Sequence, residues 1–147
     1  MNFFGTPATT VMKDLMNVDS KGQAMKIGFQ VADVAKPLMS VKRVTSKGNR
    51  VCFGPEDQDN YIQNVKSGMK IPMRQSGRGS YLLDLQFVGG AKTTLTVDSG
   101  AEENVCPKAW GGEFGIRGPE QWMKFRGANG DGIKHYGHRD VRVESPF

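Results

Sequence analysis

Among the 147 residues of this chain, Asp98 has the setting best suited to chemistry. In "TTLTVDSGAEENVCP", residues 93–107, an apolar strand-like run ends abruptly at that carboxylate and is followed by Ser99, Gly100 and Ala101. The small residues let the backbone pass close to the carboxylate, so their N–H groups can point at it unobstructed. Ser99 adds a hydroxyl able to donate and accept, locally or across an interface. Leu95 and Val97 anchor the strand beneath. A carboxylate held rigidly in this way, with hydrogen bonds to spare, is prepared for acid–base catalysis. Asp-Ser-Gly alone is ordinary turn chemistry. The run D-[ST]-G-A is rarer, arising by chance in roughly one chain of this length in a couple of hundred.

Other reactive side chains have weaker settings. His135 is the obvious alternative base, but three-residue spacing on a strand puts it and His138 on different faces, as exposed histidines. Glu102 and Glu103 are too close in sequence to Asp98 to converge on one bond as an acid–base pair. Ser99 lacks the G-x-S-x-G setting of a serine nucleophile. Cys52 and Cys106 have no paired spacing, so a Cys2His2 zinc site with the two histidines is set aside in favour of free thiols. No metal or cofactor is expected.

The elements that must position Asp98 read as short and mostly β. Residues 1–24 form an N-terminal extension in which "TTVMKDLMN" can make two helical turns capped by Thr10. "MKIGFQVADV" alternates as a strand with Ile27, Phe29 and Val31 on one face. Pro37 can start a helix whose face carries Leu38, Val41 and Val44 and which ends at Gly48-Asn49. "RVCFG", "NYIQNV", "MKIPMR" and "SYLLDLQFV" then form a meander. "GGAK", 89–92, is a flexible joint to the strand that delivers Asp98. After an irregular glycine-rich stretch, "WMKFR" and "IKHYGHRDVRVES" pair as a hairpin around "GANGDG".

The 19 glycines and 7 prolines suit many short elements joined by turns, and the length suits one domain. The formal charge of +5 lies in residues 1–90, with 12 Lys+Arg against 7 Asp+Glu, while residues 91–147 balance at 8 against 8. No basic run forms a stripe, so a solvated basic surface is preferred to a nucleic-acid interface. No signal peptide or apolar run of membrane-spanning length is present. The expectation is a soluble, intracellular, cytoplasmic protein.

"LTVDSGAEENVCP" resembles the active-site segment of retropepsin-like aspartic proteases. "FRGANGDGIKHYGHRDVRV" is similar to the flap region of copia-type retrotransposon proteases. "FQVADVAKPLMSVKRVTSKGNRVCF", "YIQNVKSGMKIPM" and "SYLLDL" resemble segments that those polyproteins carry further downstream. The resemblance implies an all-β retropepsin-like closed barrel with one short helix, over residues 25–147. It also implies a circularly permuted order. Residues 25–88 match the family's C-terminal half, 89–92 join the halves, and 93–147 match the half with active site and flap. The ends "VRVESPF" and "MKIGFQV" should then be neighbours in space. A fragment of a tandem polyprotein would give the same order.

What the resemblance implies for function is an aspartic endopeptidase acting on polypeptide segments, in the manner of polyprotein processing. Only one D-[ST]-G occurs, so Asp98 from each of two chains would form the dyad of a homodimer. Ser99 would bond across the axis, and Gly100 and Ala101 would line the floor. Gly127, Ala128, Asn129, Gly130, Asp131, Gly132 and Ile133 would close over the peptide as a flap. Leu83, Leu85, Phe87 and Leu95 are expected to hold the dimer beside Ser99. The alternative is a catalytically inactive module of the same fold that only dimerises or binds peptides.

Overall fold

The computed structural model describes residues 24–118, 125–126 and 132–146. The helical turns expected near Thr10 lie outside these residues. Within them the protein is mostly β-sheet, with one short helix and a single 3-10 turn at Asp57–Asp59. The period of two governs nearly every strand. In β1 (Ala24–Ala32), Met25, Ile27, Phe29 and Val31 are buried on alternate positions.

The segment after β1 differs from its expected form. Leu38–Ser40 is a strand, β2, and the helix α1 is confined to Val41–Ser46. Tertiary pairing decides this: Leu38, Met39 and Ser40 lie parallel to Thr96, Val97 and Asp98. Ser40 then caps the helix, its Oγ accepting the Arg43 N–H at 3.1 Å. Pro37 precedes the strand, so it does not start the helix.

The meander follows as β3 (Asn49–Cys52), β4 (Tyr61–Asn64), β5 (Lys70–Gln75) and β6 (Tyr81–Phe87). At 89–92 the chain makes a tight turn. The Phe87 N–H donates to the Ala91 carbonyl at 2.9 Å, and Gly89 takes a φ of 74°, open to glycine at no steric cost. Lys92 already belongs to β7 (Lys92–Asp98). Val105–Cys106 forms β8, Phe125–Arg126 and Gly132–Ile133 form the hairpin strands β9 and β10, and His135–Glu144 forms β11.

Nine strands join in the order β11-β1-β8-β2-β7-β6-β5-β4-β3. β11 also pairs with β6, through Val143↔Phe87 and Glu144↔Gln86. Pairing therefore runs from β11 through β1, β8, β2, β7 and β6 and back to β11, leaving β5, β4 and β3 as a three-stranded tail. The sequence ends expected to be neighbours are so: Met25 pairs with Val143 and Ala24 with Glu144.

Leu83, Leu85, Phe87 and Leu95 are at most 7% exposed and pack with Phe29, Met39 and Val141 in the chain's own core. They are therefore unavailable to hold a dimer. Each is on the inward phase of β6 or β7, and burying such a side chain contributes about 1.5–3 kcal/mol to the fold. Among the described residues no helix is long and apolar enough to cross a membrane.

Candidate active site

Asp98 is the last residue of β7, half-buried, with Leu95 and Val97 buried behind it. Its Oδ1 accepts the Gly100 N–H at 2.8 Å. The Ala101 N–H turns instead to the Asp98 carbonyl, at 3.4 Å. One of the two expected backbone donors therefore reaches the carboxylate. Ser99 and Gly100 are exposed at the tip of the turn, and Ala101 is half-buried.

Two buried or half-buried polar residues, neither singled out by the sequence reading, brace this turn. Ser40, the register partner of Asp98, is fully buried, and its Oγ donates to the Ala101 carbonyl at 2.7 Å. The Ser40 N–H donates to Asn104 Oδ1 at 2.7 Å, and Asn104 Nδ2 donates to the Gly28 carbonyl at 3.0 Å. The far end of the loop is thereby tied to β1 and β2 at once. Each bond also satisfies a group that would be costly to leave unpaired away from water. A serine just before "VKRV" is a helix-cap signal that could have revealed Ser40. Asn104 carries no comparable signal, because its partners are distant in sequence.

Glu102 and Glu103 are engaged away from Asp98. Glu102 pairs with Lys42 at 2.8 Å, and Glu103 pairs with Arg43, both on α1. The Lys42 hydrogen bond holds the Glu102 carboxyl below its ordinary value. These bridges fasten the loop after Asp98 to the helix from outside.

The following loop is clamped from within. Arg139 is 3% exposed; its Nε donates to the Phe114 carbonyl at 2.7 Å, and Nη1 to the Lys108 carbonyl at 3.0 Å and to that of Trp110. Trp110 packs edge-on against Phe29 at 4.9 Å, and its Nε1 donates to Thr93 Oγ1 at 2.8 Å. Beside Arg139, burial pushes the Cys106 thiol up to about 11, against the pull of the guanidinium, so it stays protonated and unreactive. Cys52 lies on β3, half-buried; both cysteines are free.

The histidines depart from strict alternation. A bulge between His135 and Gly137 shifts the register against β1, giving His135↔Ala32 and His138↔Gln30. Both rings therefore reach Gln30, with His135 Nε2 at 3.0 Å from Oε1 and His138 Nδ1 at 3.3 Å from Nε2. They are half-buried on one face rather than exposed on two. Gly137 has a φ of 145°, and a Cβ there would collide with the Arg117 carbonyl, so glycine is needed where Arg117 pairs with His138. His138 Nε2 lies 2.7 Å from Asp140 Oδ1. Burial works against ionisation of Asp140, but His138 and then Arg117 outweigh it and hold the carboxyl below its usual range.

Of the expected flap, Gly132 and Ile133 pair with Arg126 and Phe125 as a hairpin. Gly127, Ala128, Asn129, Gly130 and Asp131 lie outside the described residues. A hollow lined by Asp84, Thr94 and Pro146 sits on the outer face, about 13 Å along β7 from Asp98. Its carboxylate is already engaged by Arg74 and Thr94. No family model, curated protein or solved structure matches the chain.

Proposed function

We propose that the protein is an aspartic endopeptidase, a retropepsin-like barrel in permuted order that cleaves extended peptide segments as a homodimer. The observation that carries this reading is Asp98, at the end of a core-anchored strand with Oδ1 held by the Gly100 N–H at 2.8 Å. Ser99 beside it is exposed, as contact with a second copy requires. The return of the strand pairing to β11 supports the barrel, and the Met25↔Val143 pairing supports the permuted order.

In the dimer the two Asp98 carboxyls share one proton, because like charges so close cannot both ionise. The ionised one takes a proton from water as the oxygen attacks the scissile carbonyl carbon. The protonated one gives its proton to the carbonyl oxygen, forming a gem-diol without a covalent enzyme intermediate. Return of a proton to the amide nitrogen then breaks the C–N bond. Ser40 and Asn104 keep the loop in place through the Ala101 carbonyl and the β1 backbone.

The test is Asp98→Asn, assayed on a peptide library with a statine-type mimic as inhibitor control. Hydrolysis should fall by about 10²–10⁴-fold or more with the melting temperature unchanged. Specific activity of the parent should rise with concentration until the dimer saturates, as sedimentation reports it. Undiminished hydrolysis by Asp98→Asn, or full activity from a 16.2 kDa monomer, would overturn the shared dyad. Peptide binding without any cleavage by the parent would leave the non-catalytic module as the answer.

A further inference from the structure

We propose a second, independent function for the tail: the outer face of β3–β5, at the end where β4 turns into β5, binds the phosphodiester backbone of a single-stranded nucleic acid. The argument begins with register. Arg50 pairs with Gln63, and Gln63 with Lys70, so the three stand in one row across the tail. The alternate row, Val51, Ile62 and Ile71, belongs to the core side, so the basic row faces outward. Arg50 and Lys70 are both exposed, about 10 Å apart across two strand spacings, within side-chain reach of neighbouring phosphates.

Lys47 and Lys66 lie near this row, outside the strand register. They occupy the turns at the same end, which the Val65 N–H to Gly48 carbonyl bond of 3.1 Å holds together. The acidic residues Glu56, Asp57 and Asp59 lie in the β3–β4 connection, at the opposite end. Among the described residues no salt bridge holds Lys47, Arg50, Lys66 or Lys70. Arg74 shares the face but is bound to Asp84 at 2.6 Å, so it is not counted. Four cations at one sheet end, none held in an ion pair among the described residues, repel one another, and a polyanion removes that repulsion.

The aromatic neighbour selects among polyanions. Tyr61 is on the outward row next to Gln63, half-buried, with Lys70 Nζ 4.4 Å from its ring centroid. A π-face beside cations on an open sheet suits an unstacked base over its own phosphate. An acidic polypeptide would use the charges and leave the ring idle.

The experiment is anisotropy of labelled oligo-dT and oligo-U, about 15 nucleotides long, with the full chain at several salt concentrations. Three to four phosphate contacts predict a Kd of about 10⁻⁶–10⁻⁴ M at physiological salt and a log–log slope of about −2 to −3. The double variant Arg50→Gln/Lys70→Gln should weaken binding about 10-fold or more and flatten the slope by about 1.4. Tyr61→Leu should weaken it about 5-fold or more. Arg78→Gln, in the β5–β6 turn away from the row, should leave it unchanged. The proposal is overturned by no binding at low salt, by equal binding of the double variant, or by tighter binding of a duplex. It is equally overturned if polyglutamate competes as well as oligo-dT, which would make this an acidic-peptide surface. Asp98→Asn should bind like the parent, so this outcome is separable from that of the protease reading.

Discussion

The loop that carries Asp98 and the tail that carries Arg50 and Lys70 handle polar groups in opposite ways. Around Asp98 and the loop that follows, Ser40, Asn104 and Arg139 direct their donors inward, to carbonyls of Ala101, Gly28, Lys108, Trp110 and Phe114. On the tail's outer face the charged groups point outward, and the strands are held from beneath by Ile62, Ile71 and Met73. The first arrangement fixes backbone positions to hydrogen-bond precision. The second leaves long side chains free to meet a partner of variable shape. The bond-breaking proposed at Asp98 needs the former, because misplacement by an ångström is costly in rate, whereas the proposed surface for a flexible polymer needs only charge and reach.

Substitutions should separate the two regions by the size of their effects. Leu83→Ala, in the core beneath β6, should destabilise the fold by about 2–5 kcal/mol in urea unfolding, through lost burial and the cavity left behind. Ser40→Ala should cost about 1–3 kcal/mol, since it removes the cap of α1 and leaves the Ala101 carbonyl without its donor. It should also lower kcat more than it raises KM for any cleaved peptide, because the loop shifts while the peptide surface stays. An effect on stability alone would make Ser40 a structural residue only.

A smaller effect is expected from acid. The Asp140 carboxyl is held below its ordinary value, so the folded state binds its proton more weakly than the unfolded chain does. Its contribution is therefore present in full above the usual carboxylate value of about 3.9 and is lost as pH falls through the lower folded value. Asp140→Asn should be less stable than the parent at neutral pH, and that difference should shrink toward zero in strong acid. A difference that is constant with pH would mean that packing, not charge, is responsible. The smallest change is expected on the tail: Arg50→Gln/Lys70→Gln should move stability by only about 0.5 kcal/mol. A loss as large as that of Ser40→Ala would erase the contrast between the regions.

Much of the strand content was legible because alternation is local. Met25, Ile27, Phe29 and Val31 are each two residues from the next, and that spacing alone places them on one face. The same holds for the turn at Asp98, where a carboxylate two residues before Gly100 can reach its N–H without help from any other segment. Alternation could not reveal which strands pair. Leu38–Ser40 reads as helix until Thr96–Asp98 lies beside it, and Ser40 becomes the loop's brace only through that contact.

The sequence by itself therefore determined the inward and outward phase of most strands, the helix near Val41 and the small-residue turn after Asp98, all set within a few residues by sterics and periodicity. Tertiary structure alone decided which residues meet across long separations. One bulge brought His135 and His138 together onto Gln30, although simple alternation would have parted them. Strand register lined up Arg50 and Lys70, twenty positions apart, on a chain in which no basic run exists. The physical reason is that a strand's own dihedrals fix where its side chains point, whereas their neighbours are set by hydrogen bonds to another strand, and that choice rests on burying the shared core.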